Sequence, residues 1–274
     1  MSTSAVEQRG SAVLSLLDTL GGFLLDRIED IGRYFRLVGH AFRSVLFRPL
    51  RVKEIMQQME FVGVQSTGII ALTGIFTGMV FALQTGHAFR QFGAESLVGG
   101  TSVLALVREL GPVLAALMVT GRAGSAMASE LATMRVTEQI DALHVMAARP
   151  IQLLILPRIL AGLVMVPALT VVFDFVGALG SYFVSLSVLQ IAPGSWWKNV
   201  IEFVGMDDVN KGLVKALVFG FILSSVGCYK GFFASGGARG VGRATTESVV
   251  YSSVLILVSD YFLTSYQINF AALE

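Results

Sequence analysis

Hydrophobic positions along this chain follow two patterns: a helical stripe near the start and long apolar runs thereafter. Between Ala12 and Phe42, Leu14, Leu17, Leu20, Leu24, Ile28, Ile31, Phe35 and Val38 recur at steps of three and four. Asp18, Asp26, Arg27, Glu29, Asp30, Arg33 and Arg36 fill much of the other face. That period predicts an amphipathic helix with a single apolar stripe. It is too charged to cross a bilayer. The expectation is an interfacial helix on the cytoplasmic surface, with Arg43, Arg48, Arg51 and Lys53 near anionic headgroups. Pro49 is expected to break it before a second short helix leads into the membrane. A soluble helical hairpin is the competing reading, and the runs that follow weigh against it.

Five apolar runs come next, each near the about 20 residues that a bilayer requires. They predict transmembrane helices over Phe61–Thr85, Ser96–Thr120, Ile159–Val188, Gly212–Phe233 and Ser248–Ile268. The chain therefore divides into an interfacial region, 1–60, and a membrane domain, 61–274. The fold class is all-α: a polytopic membrane protein with an N-terminal amphipathic interfacial helix and a cytoplasmic coupling helix. Gly74 and Gly78 stand in a G-x-x-x-G spacing, which lets helices approach closely in lipid and by itself marks packing.

Composition agrees. The chain is 54% hydrophobic and 14% charged, with net charge +1, where a soluble domain carries about 25% charged residues. No basic block with interleaved aromatics occurs, so nucleic acid is not an expected partner. One cysteine, Cys228, excludes an internal disulfide framework. His40, His87 and His144 lack metal-ligand spacing and are read as interfacial or packing residues. The opening MSTSAVEQRG lacks the basic-then-apolar pattern of a signal peptide, so the first span is expected to be retained.

Charge placement sets the expected orientation. Arg and Lys concentrate before the first run, between the second and third (Arg122, Arg135, Arg149, Arg158), and between the fourth and fifth (Lys230, Arg239, Arg243). The other side holds Arg90, Lys198, Lys211 and Lys215. The N-terminus is expected in the cytoplasm and the C-terminus outside. The outer segment with Pro193, Trp196 and Trp197 suits an interfacial helix.

Three stretches carry chemistry. The connector from Gly121 to Pro150 is helix-rich but too polar to span. Glu130, Arg135, Glu138 and Asp141 project from it, while Ala126, Leu131, Met134, Ile140, Leu143 and Met146 offer apolar contacts. Such a helix fits a groove on a partner, with a solvated surface helix as the bland alternative. In VRELGP, Arg108 and Glu109 interrupt an apolar run. Buried ionisable groups face a bundle interior, a counter-charge or a wet cavity. They line a substrate path, or they belong to a structural network with Asp174, Lys215 or Asp260; the residues alone leave both open. Pro112 is expected to disturb the helix. Finally, the glycine-rich Gly236–Arg243 segment lacks the P-loop pattern, and Thr245, Thr246 and Glu247 read as a cap that starts the fifth span. No Walker A motif occurs anywhere, so ATP hydrolysis would belong to another chain.

These stretches also carry a family resemblance. LVRELGPVLAALMVTGRAGSAMASELATMRVTEQIDAL (Leu106–Leu143) resembles the signature of the MlaE family of ABC permeases. Gly240–Thr264 is similar to its C-terminal block, and Gly74–Gln84 to its first-span block. The resemblance implies a homodimeric permease of the bacterial inner membrane. Its expected partners are a cytoplasmic ABC ATPase dimer, a periplasmic MCE-domain hexamer and, in some systems, a STAS-domain protein. The implied substrate is a phospholipid or related lipid moved between inner and outer membranes. No cofactor is expected on this chain; ATP is used by the ATPase. The family's outward-open cavity lies between the two copies, formed by spans one, two and five, and Glu109 and Leu110 match its RELGP motif. Phe81, Phe89 and Phe92 at the outer end of span one are added as candidate acyl-chain contacts, and Arg108, Glu109 and Lys215 as headgroup contacts. The ATPase is expected to dock on Ser125–Val145 through Glu130, Met134, Arg135, Glu138 and Asp141. Two rivals stand beside this: an ion-coupled secondary transporter using Glu109, Asp174 and Asp260, disfavoured by the lack of an inverted repeat, and a lipid-modifying enzyme, disfavoured by the lack of a nucleophile–base constellation.

Overall fold

The computed structural model describes residue 25, residues 28–43 and residues 51–271, and among these no strand occurs. Two compact units result, 1–49 and 50–274. In the first, residues 28–43 form one helix, α1, stitched on its exposed side by a Glu29–Arg33 ion pair at 2.6 Å. Ile28, Ile31 and Phe35 of the predicted stripe are exposed, as is Leu25, while Leu37 and Ala41 beside the stripe are buried. The earlier part of the predicted helix, Arg48 and Pro49 lie outside the described residues.

In the second unit, five helices among the described residues are long and apolar enough to cross a membrane: Val52–Arg90, Glu95–Val136, Ile151–Ser187, Met206–Phe232 and Gly237–Asn269. The first comprises α2 (Val52–Val62), a 3-10 turn (Val64–Ser66) and α3 (Thr67–Arg90). The second comprises α4 (Val98–Ala105), a π turn (Leu106–Leu110), α5 (Gly111–Val119), a second π turn (Thr120–Gly124) and α6 (Ser125–Val136). After α7 (Gln139–Val145), a third π turn (Ile151–Ile155) enters α8 (Leu156–Ser187). The helix α9 (Pro193–Phe203) precedes α10 (Met206–Phe232) and α11 (Gly237–Ala271).

All five predicted runs are helical, but their ends differ from expectation. Thr245–Glu247 do not cap the fifth span. They lie inside α11, because Gly236 and Gly237, both at positive φ, already make the turn and the helix starts at Gly237. Glu247 instead pairs with Lys230 and Arg243, each at 2.7 Å. Around Pro112 the irregularity is the preceding π turn; Pro112 itself sits in the first turn of α5, where its missing N–H is tolerated.

The bundle is held by close backbone approach, as expected where lipid supplies no hydrophobic drive between helices. α3 and α8 cross with Gly74 against the Phe173 backbone and Gly78 against the Gly177 carbonyl. Gly162 and Gly220 bring α8 against α10 in the same way. The core between them is filled by Ile70, Leu106, Phe173, Phe219 and Leu223. The outward face of α8 shows Val164, Val171, Phe175, Leu179 and Phe183, an apolar stripe suited to lipid. α10 is the most enclosed span and α11 the most exposed: its apolar window is 17% buried against 67% for α10. α9 lies on α4 with Trp196 buried against Gly99 and edge-on to Tyr182.

Candidate functional site

The π turn at Leu106–Leu110 carries Arg108 and Glu109, which reach different partners on α10. An i→i+5 turn inserts one extra residue, reorienting the side chains it carries. Arg108 reaches the start of α10, where its Nη2 lies 2.5 Å and its Nε 2.6 Å from Asp208 Oδ1. Asp208 accepts in turn from the Gly205 N–H at 2.9 Å, at the N-terminus of α10.

Glu109 turns toward α10 and α11. Lys215 Nζ donates to its Oε2 at 2.5 Å and to Thr264 Oγ1 at 2.7 Å, and lies 3.1 Å from Asp260 Oδ1. Thr264 Oγ1 donates back to Glu109 at 3.2 Å. Lys215 is wholly enclosed, whereas the Glu109 and Arg108 side chains keep 41% and 44% exposure. Two cations therefore meet three carboxylates, and one member of each sign faces outward. A shallow cleft of about 260 Å³ lined by Tyr261, Thr264, Ser265, Ile268 and Asn269 adjoins Thr264. Chemically, the arrangement presents a guanidinium and a carboxylate beside apolar helix surface.

Several expected positions come together here and others do not. Lys215 was expected among the headgroup contacts; complete burial removes it from any surface and makes it the support of Glu109. Asp174 does not join: its Oδ1 abuts Gly111 on span two and has no hydrogen-bond partner. Leu110 is half-buried against the core. Phe81 is half-buried in α3, Phe89 packs on the cluster around Trp196, and only Phe92 is open, at 80%.

The connector also differs in detail. The single helix expected over Ser125–Val145 is two helices, broken at Thr137 and at Glu138, which takes a left-handed φ of 60°. α6 continues span two and buries Met127, Ala128, Leu131 and Ala132 against its neighbours α10 and α11. Glu130 Oε2 accepts from Arg158 Nη2 at 2.7 Å, so its carboxylate is engaged by a guanidinium that is 4% exposed. Arg135 pairs with Asp141 across the break at 2.6 Å, Met134 is half-buried and Glu138 is exposed. Of the predicted apolar contacts, Leu131 and Ile140 are spent inside the chain, while Met146 stays open at 67%.

Sequence reasoning missed Asp208 and Thr264 as partners, and counted Arg122 and Arg158 only toward orientation. An acidic pair at the start of a predicted span (Asp207, Asp208) was the available signal for the first. Among the described residues no group of three or more His, Cys, Asp or Glu gathers for a metal, and Cys228 is free and buried.

Residues 55–266 match the profile of the family described as permease MlaE. The chain belongs to the MlaE permease family. Relatives extend over nearly its whole length. A probable ABC transporter permease protein of Rickettsia felis is 41% identical over 252 residues, covering 92% of this chain and 97% of the relative. A probable ABC transporter permease protein of Synechocystis is 42% identical over 230 residues, covering 84% and 88%. The intermembrane phospholipid transport system permease protein MlaE of Haemophilus influenzae is 35% identical over 258 residues, covering 92% and 97%. This MlaE-family chain is thus a multi-pass ABC transporter permease. Both RELGP and the connector fall within the matched residues.

Proposed function

We propose that this chain is the permease of an ATP-driven lipid transporter of the bacterial inner membrane, moving phospholipids or related lipids toward or from the outer membrane. The observation that carries the reading is the half-exposed Arg108 and Glu109 pair, held by Asp208 and by enclosed Lys215 beside an open apolar helix. A lipid needs apolar wall for its tails and fixed polar groups for its head; this surface offers both. The name of the Haemophilus relative supports the substrate class.

The long exposed face of α11 supports a second copy across the cavity, since Val250, Val254, Leu257, Tyr261 and Phe262 are left uncovered in one chain. The α6–α7 connector, with Glu138, Val145 and Met146 open, is the surface offered to a cytoplasmic ABC ATPase. A periplasmic MCE-domain hexamer, and in some systems a STAS-domain protein, complete the assembly. The N-terminus is cytoplasmic and the C-terminus periplasmic. ATP binding closes the paired ATPases, displaces the connectors and narrows the cavity; coupling requires that ATP favour one cavity state over the other.

Purification of the native complex and reconstitution in vesicles tests this. A co-purifying ATPase and ATP-dependent movement of labelled phospholipid are expected. A lone chain active without ATP would refute the proposal and favour ion coupling. Labelling that placed residues 121–150 outside the cell would refute the orientation.

A further inference from the structure

Arg122 lies in the second π turn of span two, at the point where the membrane helix becomes the connector. Its guanidinium does not stay within its own hairpin. Nη1 donates to the Phe61 carbonyl and, at 3.1 Å, to Ser66 Oγ; Nη2 donates to Gln65 Oε1; and the group lies 4.7 Å from the Phe61 ring centre. All three partners bracket the break between α2 and α3. Phe61 is in the last turn of α2, where carbonyls lack an N–H donor further along the helix. Gln65 and fully buried Ser66 belong to the 3-10 turn that leads into α3. One planar fork therefore caps α2 and grips the turn that leads into α3, a geometry that a lysine's point charge cannot reproduce.

The two ends of this link differ in freedom. Gly63, at the break, is packed against Met165 of α8, so the span-one side is seated. On the other side, Gly121 has nothing within 4 Å of an added Cβ, whereas Gly124 at the end of the π turn is buried with its carbonyl close to Gly227 of α10. A π turn that carries one open glycine beside Arg122 and ends on a packed one is a place where a helix can bend. We infer that Arg122 is a positioning residue that transmits displacement of the α6–α7 connector to the α2–α3 break, and so moves span one when the connector moves.

The inference rests on the permease reading, because it needs a motor acting on the connector. Its test is the ratio of lipid moved to ATP hydrolysed by the whole complex in phospholipid vesicles. Arg122→Gln removes the charge and the fork. The ratio is expected to fall about tenfold, while hydrolysis and ATPase co-purification stay near wild type. Arg122→Lys, which keeps one donor, is expected to lose about threefold. Gln65→Ala removes only the exposed end of the grip and is expected to lose about twofold, which decides the matter should Arg122→Gln fail to assemble. A purely structural role would lower transport and hydrolysis together; that result, or an unchanged ratio in Arg122→Gln or Gln65→Ala, overturns the inference. A wild-type complex without ATP-dependent transport overturns the permease reading and this inference with it.

Discussion

Lys215 Nζ sits 2.5 Å from Glu109 Oε2, joining residues 106 positions apart, and the lysine has no exposed surface at all. An ammonium in that setting must keep its counter-charges, since an unpaired buried ion is strongly destabilising. Asp260 and Thr264 supply the remaining contacts from α11, so this one side chain ties spans two, four and five together.

Substitutions at the pair are expected to separate stability from transport. Lys215→Met strands two carboxylates and is expected to cost about 3 kcal/mol, seen as a lower unfolding temperature in detergent. Glu109→Ala leaves Lys215 its Asp260 partner, so the protein still assembles while lipid transport falls. Glu109→Lys sets a second cation against Lys215 and is expected to lose stability as well. Full transport by Glu109→Ala would remove Glu109 from the lipid path.

In the connector, Glu130 and Glu138 are expected to behave differently. Glu130→Lys confronts buried Arg158 with a like charge, and is expected to cost about 2 kcal/mol whatever its effect on docking. Glu138 has no such engagement in its exposed, left-handed position, so Glu138→Lys is expected to change stability by less than about 0.5 kcal/mol. Weaker ATPase co-purification with Glu138→Lys would report docking cleanly; unchanged co-purification counts against this part of the surface.

The α3–α8 crossing makes a third prediction. A side chain at Gly78 would meet the Gly177 carbonyl, and neither backbone can retreat without parting spans one and three. Gly78→Leu is expected to cost more than about 3 kcal/mol and to deplete folded protein. Gly68 has nothing within 4 Å, and Gly68→Ala is expected to be neutral or to gain about 0.5 kcal/mol. Equal tolerance at both sites, measured by detergent-extracted yield and unfolding temperature, would contradict the crossing.

The two tryptophans of α9 give a fourth. Trp196 is 2% exposed, with its ring 5.0 Å from that of Tyr182, while Trp197 is 54% exposed. Trp196→Ala is expected to cost about 3 kcal/mol and Trp197→Ala less than about 1 kcal/mol. Unfolding followed by the fluorescence of the remaining tryptophan distinguishes them.

Much of this architecture is legible in the order of the amino acids. The five spans are, because each run of apolar residues satisfies its own backbone as a helix and needs only length to cross lipid. The Arg108 and Glu109 interruption stands out for a related reason: charge inside such a run is rare. Hydropathy does not show where helices continue or break beyond the apolar runs. There polar sequence no longer constrains length, so α6 runs on from span two, Glu138 breaks the connector, and the fifth span begins at Gly237.

The chain's residues alone thus dictated the number of crossings, the all-helical class and the two unusual charges, since each of these is a local property of hydropathy. Which charges meet was decided in three dimensions. Arg108 finds Asp208, Glu109 finds Lys215 and Arg122 finds Gln65 only after glycine contacts have set which spans are neighbours. Proximity between helices depends on how closely their backbones can approach, and one-dimensional order does not encode that distance.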